Sequence, residues 1–191
     1  MAEARTGCRN GPEDLGHGVA PLLDAPIDLV EGLLDRDGSF RDMNFEGATW
    51  EGVRKLIESL QAQFASIDLP VLNDQDQPKV LNAEELVTDA RGGKYFILNC
   101  DRGTGIVIYL HVFVSDSEIG PHVEFTFAPY NLRWKNDLRK EFLNWADEMR
   151  DALQARRYFV RYESVSWTFG DTGENSGVFY VSGHLMNPVQ L

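Results

Sequence analysis

The sequence predicts an α+β fold: a mainly antiparallel sheet packed against two principal helices in a single domain. Two long stretches, about residues 49–66 and 132–155, place apolar residues at three- and four-residue intervals, the signature of one buried helical face. Around them strand patterns run over about residues 94–100, 105–114, 122–128, 158–169 and 177–182. The length of 191 residues, 43% of them hydrophobic, fits one domain with a sizeable core.

Residues 1–39 read as a flexible acidic leader rich in Gly, Pro and Asp, with a short helix over 27–34, ahead of a single domain over 40–191. In SFRDMNFEG, Phe40, Met43 and Phe45 suggest a short edge strand with imperfect alternation. Trp50, Val53, Leu56, Ile57, Leu60 and Phe64 form the stripe of the first long helix, with Thr49 as its N-cap and Pro70 just beyond its end. Asn82 is placed to cap a small helix over 83–90 that Gly92 and Gly93 terminate.

KYFILNC and GIVIYLHVFV then read as adjacent strands turning at Asp101-Arg102-Gly103-Thr104. Both alternating sets of the second are largely apolar, which puts it near the middle of the sheet with its second face at least partly covered. In HVEFTFA the alternation is cleaner: Val123, Phe125 and Phe127 point inward, His122, Glu124 and Thr126 outward. Leu138, Phe142, Trp145, Met149 and Leu153 make the stripe of the long second helix, and two strands flanking the loop GDTGENSG complete the domain.

Charge narrows the function. The chain carries 30 acidic and 18 basic residues, a formal net charge of -12, which argues against direct nucleic-acid or anionic-membrane binding, since both need clustered cations. Met1 to Phe40 holds eight acidic and three basic residues, so most of the imbalance lies in the body. A basic protein is the partner such a surface would steer and select. Cys8 and Cys100 give no disulfide framework, and the opening residues lack signal-peptide character, so a cytoplasmic location is expected.

Catalytic signatures are weak. Asp171-Thr172-Gly173 matches the tripeptide of aspartic proteases, but that chemistry needs two carboxylates and the chain holds one copy, in a stretch suited to a hairpin tip. His17, His111, His122 and His184 show no tight ligand spacing, although a cross-strand pair of His111 and His122 is open, and Cys100 lies in an apolar strand where a thiol is inert. Gly103-Thr104-Gly105 precedes a strand and cannot cradle a phosphate as a helix-opening loop does. No cofactor and no metal are therefore expected. Asp116, Glu118, Glu124 and Glu163 can share a sheet face and its adjoining loop, either as a solvated acidic edge, as hydrolytic carboxylates or as partners for a basic protein. Tyr130-Asn131-Leu132-Arg133-Trp134, between a strand and a helix, supplies residue types that anchor interfaces.

The pieces GTGIVIYLHV and SGVFYVSG, separated by a long helix in a small acidic domain, resemble parts of immunity proteins from bacterial polymorphic-toxin systems. The resemblance spans residues 94–183 and transfers no functional residue. It implies a non-enzymatic protein that neutralises a cognate basic toxin, such as a secreted toxin domain, by covering its active site. The contact residues expected on sequence grounds are Asp116, Glu118, Glu124, Tyr130, Trp134, Asp171 and Glu174, all in loops or on a polar strand face. Two other readings stand beside it: a small hydrolase or transferase built on a carboxylate or histidine, and a structural module whose apolar strands pair into a homodimer.

Overall fold

The computed structural model describes residues 28–35, 39–69, 81–163 and 177–182. Their elements run α1 (Leu29–Leu34), β1 (Arg41–Glu46), α2 (Trp50–Gln63), β2 (Phe64–Asp68), α3 (Ala83–Arg91), β3 (Tyr95–Gly103), β4 (Leu110–Ser117), β5 (Gly120–Phe127), α4 (Leu138–Leu153), β6 (Arg157–Tyr162) and β7 (Val178–Val181). All seven strands join one antiparallel sheet in the order β2-β3-β4-β5-β1-β6-β7. The α+β architecture expected from the sequence is the one observed.

One sheet face is apolar and meets the helices. Met43 of β1 stands beside Phe125 of β5 and Val160 of β6, and Phe45 beside Val123 and Tyr158. Phe45 and Phe125 meet edge to face at 4.8 Å between ring centroids, and Phe127, Phe142 and Trp145 continue the aromatic cluster onto α4. Helix α2 crosses α4 closely at Gly52, where a Cβ would lie 2.0 Å from the Leu153 carbonyl oxygen. Thr49 caps α2 through the Gly52 N–H, and its own N–H reaches the Leu153 carbonyl, so the start of α2 and the end of α4 are tied together.

Helix α1 falls within the expected 27–34 stretch, buries Leu29 and Leu33, and is held by a buried arginine. The Arg41 guanidinium donates to the carbonyls of Gly32 (2.6 Å) and Asp35 (2.7 Å) and to Ser39, and stacks 4.4 Å from the Tyr162 ring centroid. This one side chain satisfies carbonyls that a short helix leaves without intrahelical donors.

Four expectations are corrected. Strand β1 is interior, between β5 and β6; its imperfect alternation reflects a strand buried on both faces, with Asp42 and Asn44 enclosed on the second. Helix α2 ends at Gln63, and Phe64 turns extended and begins β2, so a strand absent from the sequence reading follows with no loop between. Strand β3 continues to Gly103, and β4 begins only at Leu110; Ile106 and Val107 are buried within the intervening loop, where Val107 bridges Leu132. Helix α4 begins at Leu138, because Asp137 caps the Lys140 N–H and the Glu141 carboxylate gathers the N–H groups of Lys135, Asn136 and Asp137. For the strand expected over 158–169, β6 covers Arg157–Tyr162, and residues 164–169 lie outside the described residues.

Candidate functional site

The second face of the sheet is polar, and register explains its composition. Asn44 of β1 stands opposite Glu124 of β5 and Phe159 of β6, while Asp42 stands opposite Thr126 and Arg161. On β4, Phe113 pairs with Glu124, His111 with Thr126 and Ser115 with His122. Because side chains alternate along each strand, Asp42, Asn44, His111, His122, Glu124, Thr126 and Arg161 share one side.

This patch is enclosed toward β1 and β6 and half-open toward β4 and β5. Asn44 and Arg161 are 0% exposed and Asp42 4%, whereas His111, Phe113, His122 and Glu124 are half-buried. The Asp42 carboxylate accepts hydrogen bonds from the Thr126 hydroxyl (2.9 Å) and the Arg161 guanidinium (3.2 Å). Among the described residues, neither side-chain polar atom of Asn44 has a hydrogen-bond partner, and Glu124 Oε2 is buried without one.

Burial and like charge raise both acids. Desolvation, then Asp42, pushes the Glu124 carboxyl up to about 7, with Arg161 opposing and Glu163 adding to the rise. Asp42 is raised by desolvation against the pull of Thr126 and Arg161. Desolvation, reinforced by Arg161, lowers His122 to about 4, and desolvation lowers His111, whose Nδ1 lies 2.6 Å from Asn99 Oδ1. His111 and His122 are not register partners, since each faces a hydroxyl residue instead. Cys100 points to the apolar side, and burial pushes its thiol up to about 12, which makes it a poor nucleophile. Among the described residues, no group of three or more His, Cys, Asp or Glu is arranged to hold a metal ion.

The expected contact residues are distributed over three places. Asp116 and Glu118 are exposed at the β4–β5 hairpin tip beside Ile119, which is 79% exposed. Glu124 lies mid-strand on the polar face. Tyr130, 81% exposed on a 3-10 turn over Pro129–Asn131, and Trp134 project at the other end of β5, roughly 24 Å from the tip at the usual rise per residue. Asp171 and Glu174, with the Asp171-Thr172-Gly173 tripeptide, lie outside the described residues. The structure thus joins Glu124 and Glu163 electrostatically with Asp42, not with Asp116 and Glu118.

Sequence reasoning missed Asp42, Asn44 and Arg161. Their signal was present as polar residues alternating with Met43 and Phe45 and as an arginine inside FVRY, but long-range register alone brings them together.

A cleft of about 760 Å³ opens on the helix side, with Arg133, Lys135, Glu141, Asn144 and Glu148 around Trp145. Its charges are largely committed to loop structure. Arg133 donates to the Gly103 and Thr104 carbonyls, and Glu141, lowered chiefly by the Asn136 N–H, holds the turn before α4. The polar sheet face is the stronger candidate, because its buried hydrogen-bonding groups are incompletely used.

This fold and face define a small α+β domain with a charged, partly enclosed sheet surface. No protein-family model matches the chain, and no curated protein matches it. A fold likeness exists to a chain of a crystal structure described as the toxic C-terminal tip of CdiA from Pseudomonas aeruginosa in complex with immune protein: TM-score 0.55, 16% identity, covering 79% of this chain and 99% of that one. At that identity the likeness is one of fold.

Proposed function

We propose that this chain is a non-enzymatic binding protein that acts as an immunity protein, neutralising a cognate basic toxin by covering its active site. The fold likeness to a chain of a toxin–immune protein complex, over nearly the whole of that chain, carries the reading. The net charge of -12 supports the immunity role, since it disfavours direct action on a polyanion and favours capture of a basic protein. No helix among the described residues is long and apolar enough to cross a membrane. In this reading the chain meets its toxin in the cytoplasm.

The docking surface of this reading runs from Glu124 on the polar face to Asp116, Glu118 and Ile119 at the hairpin tip. That combination gives a carboxylate rim around an exposed aliphatic residue, and it leaves Tyr130 and Trp134 at the far end outside the contact. The test is coexpression with toxin domains encoded beside the gene. The expected result is a stoichiometric complex and restored growth of cells making the toxin, with no harm from this chain expressed alone. Absence of both complex and growth rescue would reject the reading.

A further inference from the structure

Toward β3 and β4 the second face of the sheet changes character. Tyr95, Ile97 and Asn99 of β3 stand opposite Ser115, Phe113 and His111 of β4, so all six side chains share that face. Three rings follow one another across three strands: Tyr95 lies 5.7 Å from Phe113, and Phe113 lies 5.7 Å from His122 of β5. Tyr95 is 49% exposed, and Ile97, Phe113 and His122 are half-buried. Outward positions of a solvated antiparallel strand ordinarily carry polar residues, yet Tyr95, Ile97 and Phe113 sit there, outside the hydrophobic core on the opposite side.

The charge around this stripe has one sign. Glu124 is the register partner of Phe113 on β5, while Asp101 of β3 and Asp68 of β2 extend the same face beyond Asn99. Among the described residues, no lysine or arginine occupies an outward position of β2, β3, β4 or β5 on this face. Asp101 lies 3.6 Å from the guanidinium of its neighbour Arg102, and on β6 Arg157 and Arg161 are bonded to Glu46 and Asp42. His122, held down to about 4 chiefly by desolvation, is uncharged at neutral pH, so the stripe itself is neutral.

We infer that the stripe of Tyr95, Phe113 and His122 is the affinity-determining centre of the partner contact, and that it receives an apolar protrusion of the partner ringed by lysine or arginine side chains. This rests on the protein-binding reading and extends its docking surface from Glu124 across β4 to β3, leaving the acids of the hairpin tip to steer the encounter. An uncharged aromatic middle inside a charged rim is the anatomy of a protein interface, and aromatic anchors in such a middle carry most of the affinity. A single-stranded nucleic acid also stacks on the aromatic residues of a sheet, but here its phosphates would face Asp68, Asp101 and Glu124. A second copy of this chain would bring the same acids against one another.

The test uses the full chain and the toxin domain that coexpression identifies, with affinity read by calorimetry and dissociation by stopped flow. Phe113→Ala is expected to weaken the complex about a hundredfold, mainly through faster dissociation, and Tyr95→Ser about tenfold. Asp68→Asn combined with Asp101→Asn is expected to weaken it several-fold at low salt and not at high salt. An unchanged melting temperature of each free variant separates contact from fold, and Tyr95→Ser, at a side chain half open to solvent, decides the matter if Phe113→Ala unfolds. Parent-like affinity in both aromatic variants would overturn the inference and leave the immunity reading standing. Dimerisation of the free chain, or binding of a single-stranded RNA, that these variants abolish would overturn it as well. A basic but harmless protein encoded beside the gene, bound by the parent and released by both variants, would keep the stripe and sink the immunity reading. Absence of any protein partner would sink both.

Discussion

Glu124→Gln should change how stability depends on pH, and the direction follows from the position of the side chain. Burial and Asp42 move the carboxyl from its ordinary 4.5 to about 7. A raised folded-state value means that the folded protein holds the proton more tightly than the unfolded chain. Stability associated with Glu124 is therefore complete below about pH 4.5 and is lost as pH rises through 7. At about 1.4 kcal/mol per pH unit the whole displacement is worth about 3 kcal/mol, and partial solvent access reduces the expected loss to about 1 to 2 kcal/mol. Glutamine keeps the shape without the ionisation. Urea denaturation at pH 5 and pH 8.5 should show the variant gaining about 1 to 2 kcal/mol over the parent at the higher pH relative to the lower. Identical pH dependence in the two proteins would refute the reasoning, because the carboxyl would then not be desolvated by the fold.

Other perturbations read other parts of the structure. His122, held down at about 4, contributes stability above its ordinary 6.5 that is lost as pH falls toward 4; its NMR titration should show no inflection above pH 5. Arg41→Met removes the donor to Gly32 and Asp35 and should cost about 3 kcal/mol, with hydrogen exchange in α1 accelerating more than in α4. Gly52→Ala drives a methyl into the Leu153 carbonyl and should cost about 2 kcal/mol or more, read as a lowered thermal midpoint. With a toxin partner in hand, replacing Asp116 and Glu118 together by Asn and Gln should slow association several-fold at low salt, while Tyr130→Ala leaves affinity and melting temperature unchanged, as measured by stopped flow and calorimetry.

Local periodicity made much of this fold legible. The stripes of α2 and α4, the Asn82 cap of α3 and the inward set of β5 are all local patterns, and each is where the spacing placed it. What escaped depends on partners distant in sequence. Phe64 continues a helical stripe, yet its extended backbone and pairing with Gly103 make it the first residue of β2. Ile106 and Val107 look like strand residues because a buried loop also needs apolar side chains. Of the candidate site, the outward set His122, Glu124 and Thr126 was legible from alternation alone, and His111 and Glu163 stood out as residue types. Asp42, Asn44 and Arg161 become neighbours through the β5-β1-β6 order, which no short window encodes.

That order also dictates when the protein can become itself. Strand β1 is an early segment whose two hydrogen-bonded flanks are β5 and β6, the latter more than a hundred residues downstream. A chain emerging from the ribosome can pair β3, β4 and β5 as successive hairpins and set β1 against β5, but the second edge of β1 stays open until Arg157–Tyr162 has been made. The pairing of β1 with β6 closes a long loop, so the Asp42–Arg161 contact is among the last that can form during synthesis. A nascent chain halted before β6 would hold most of its sheet and none of its completed polar face.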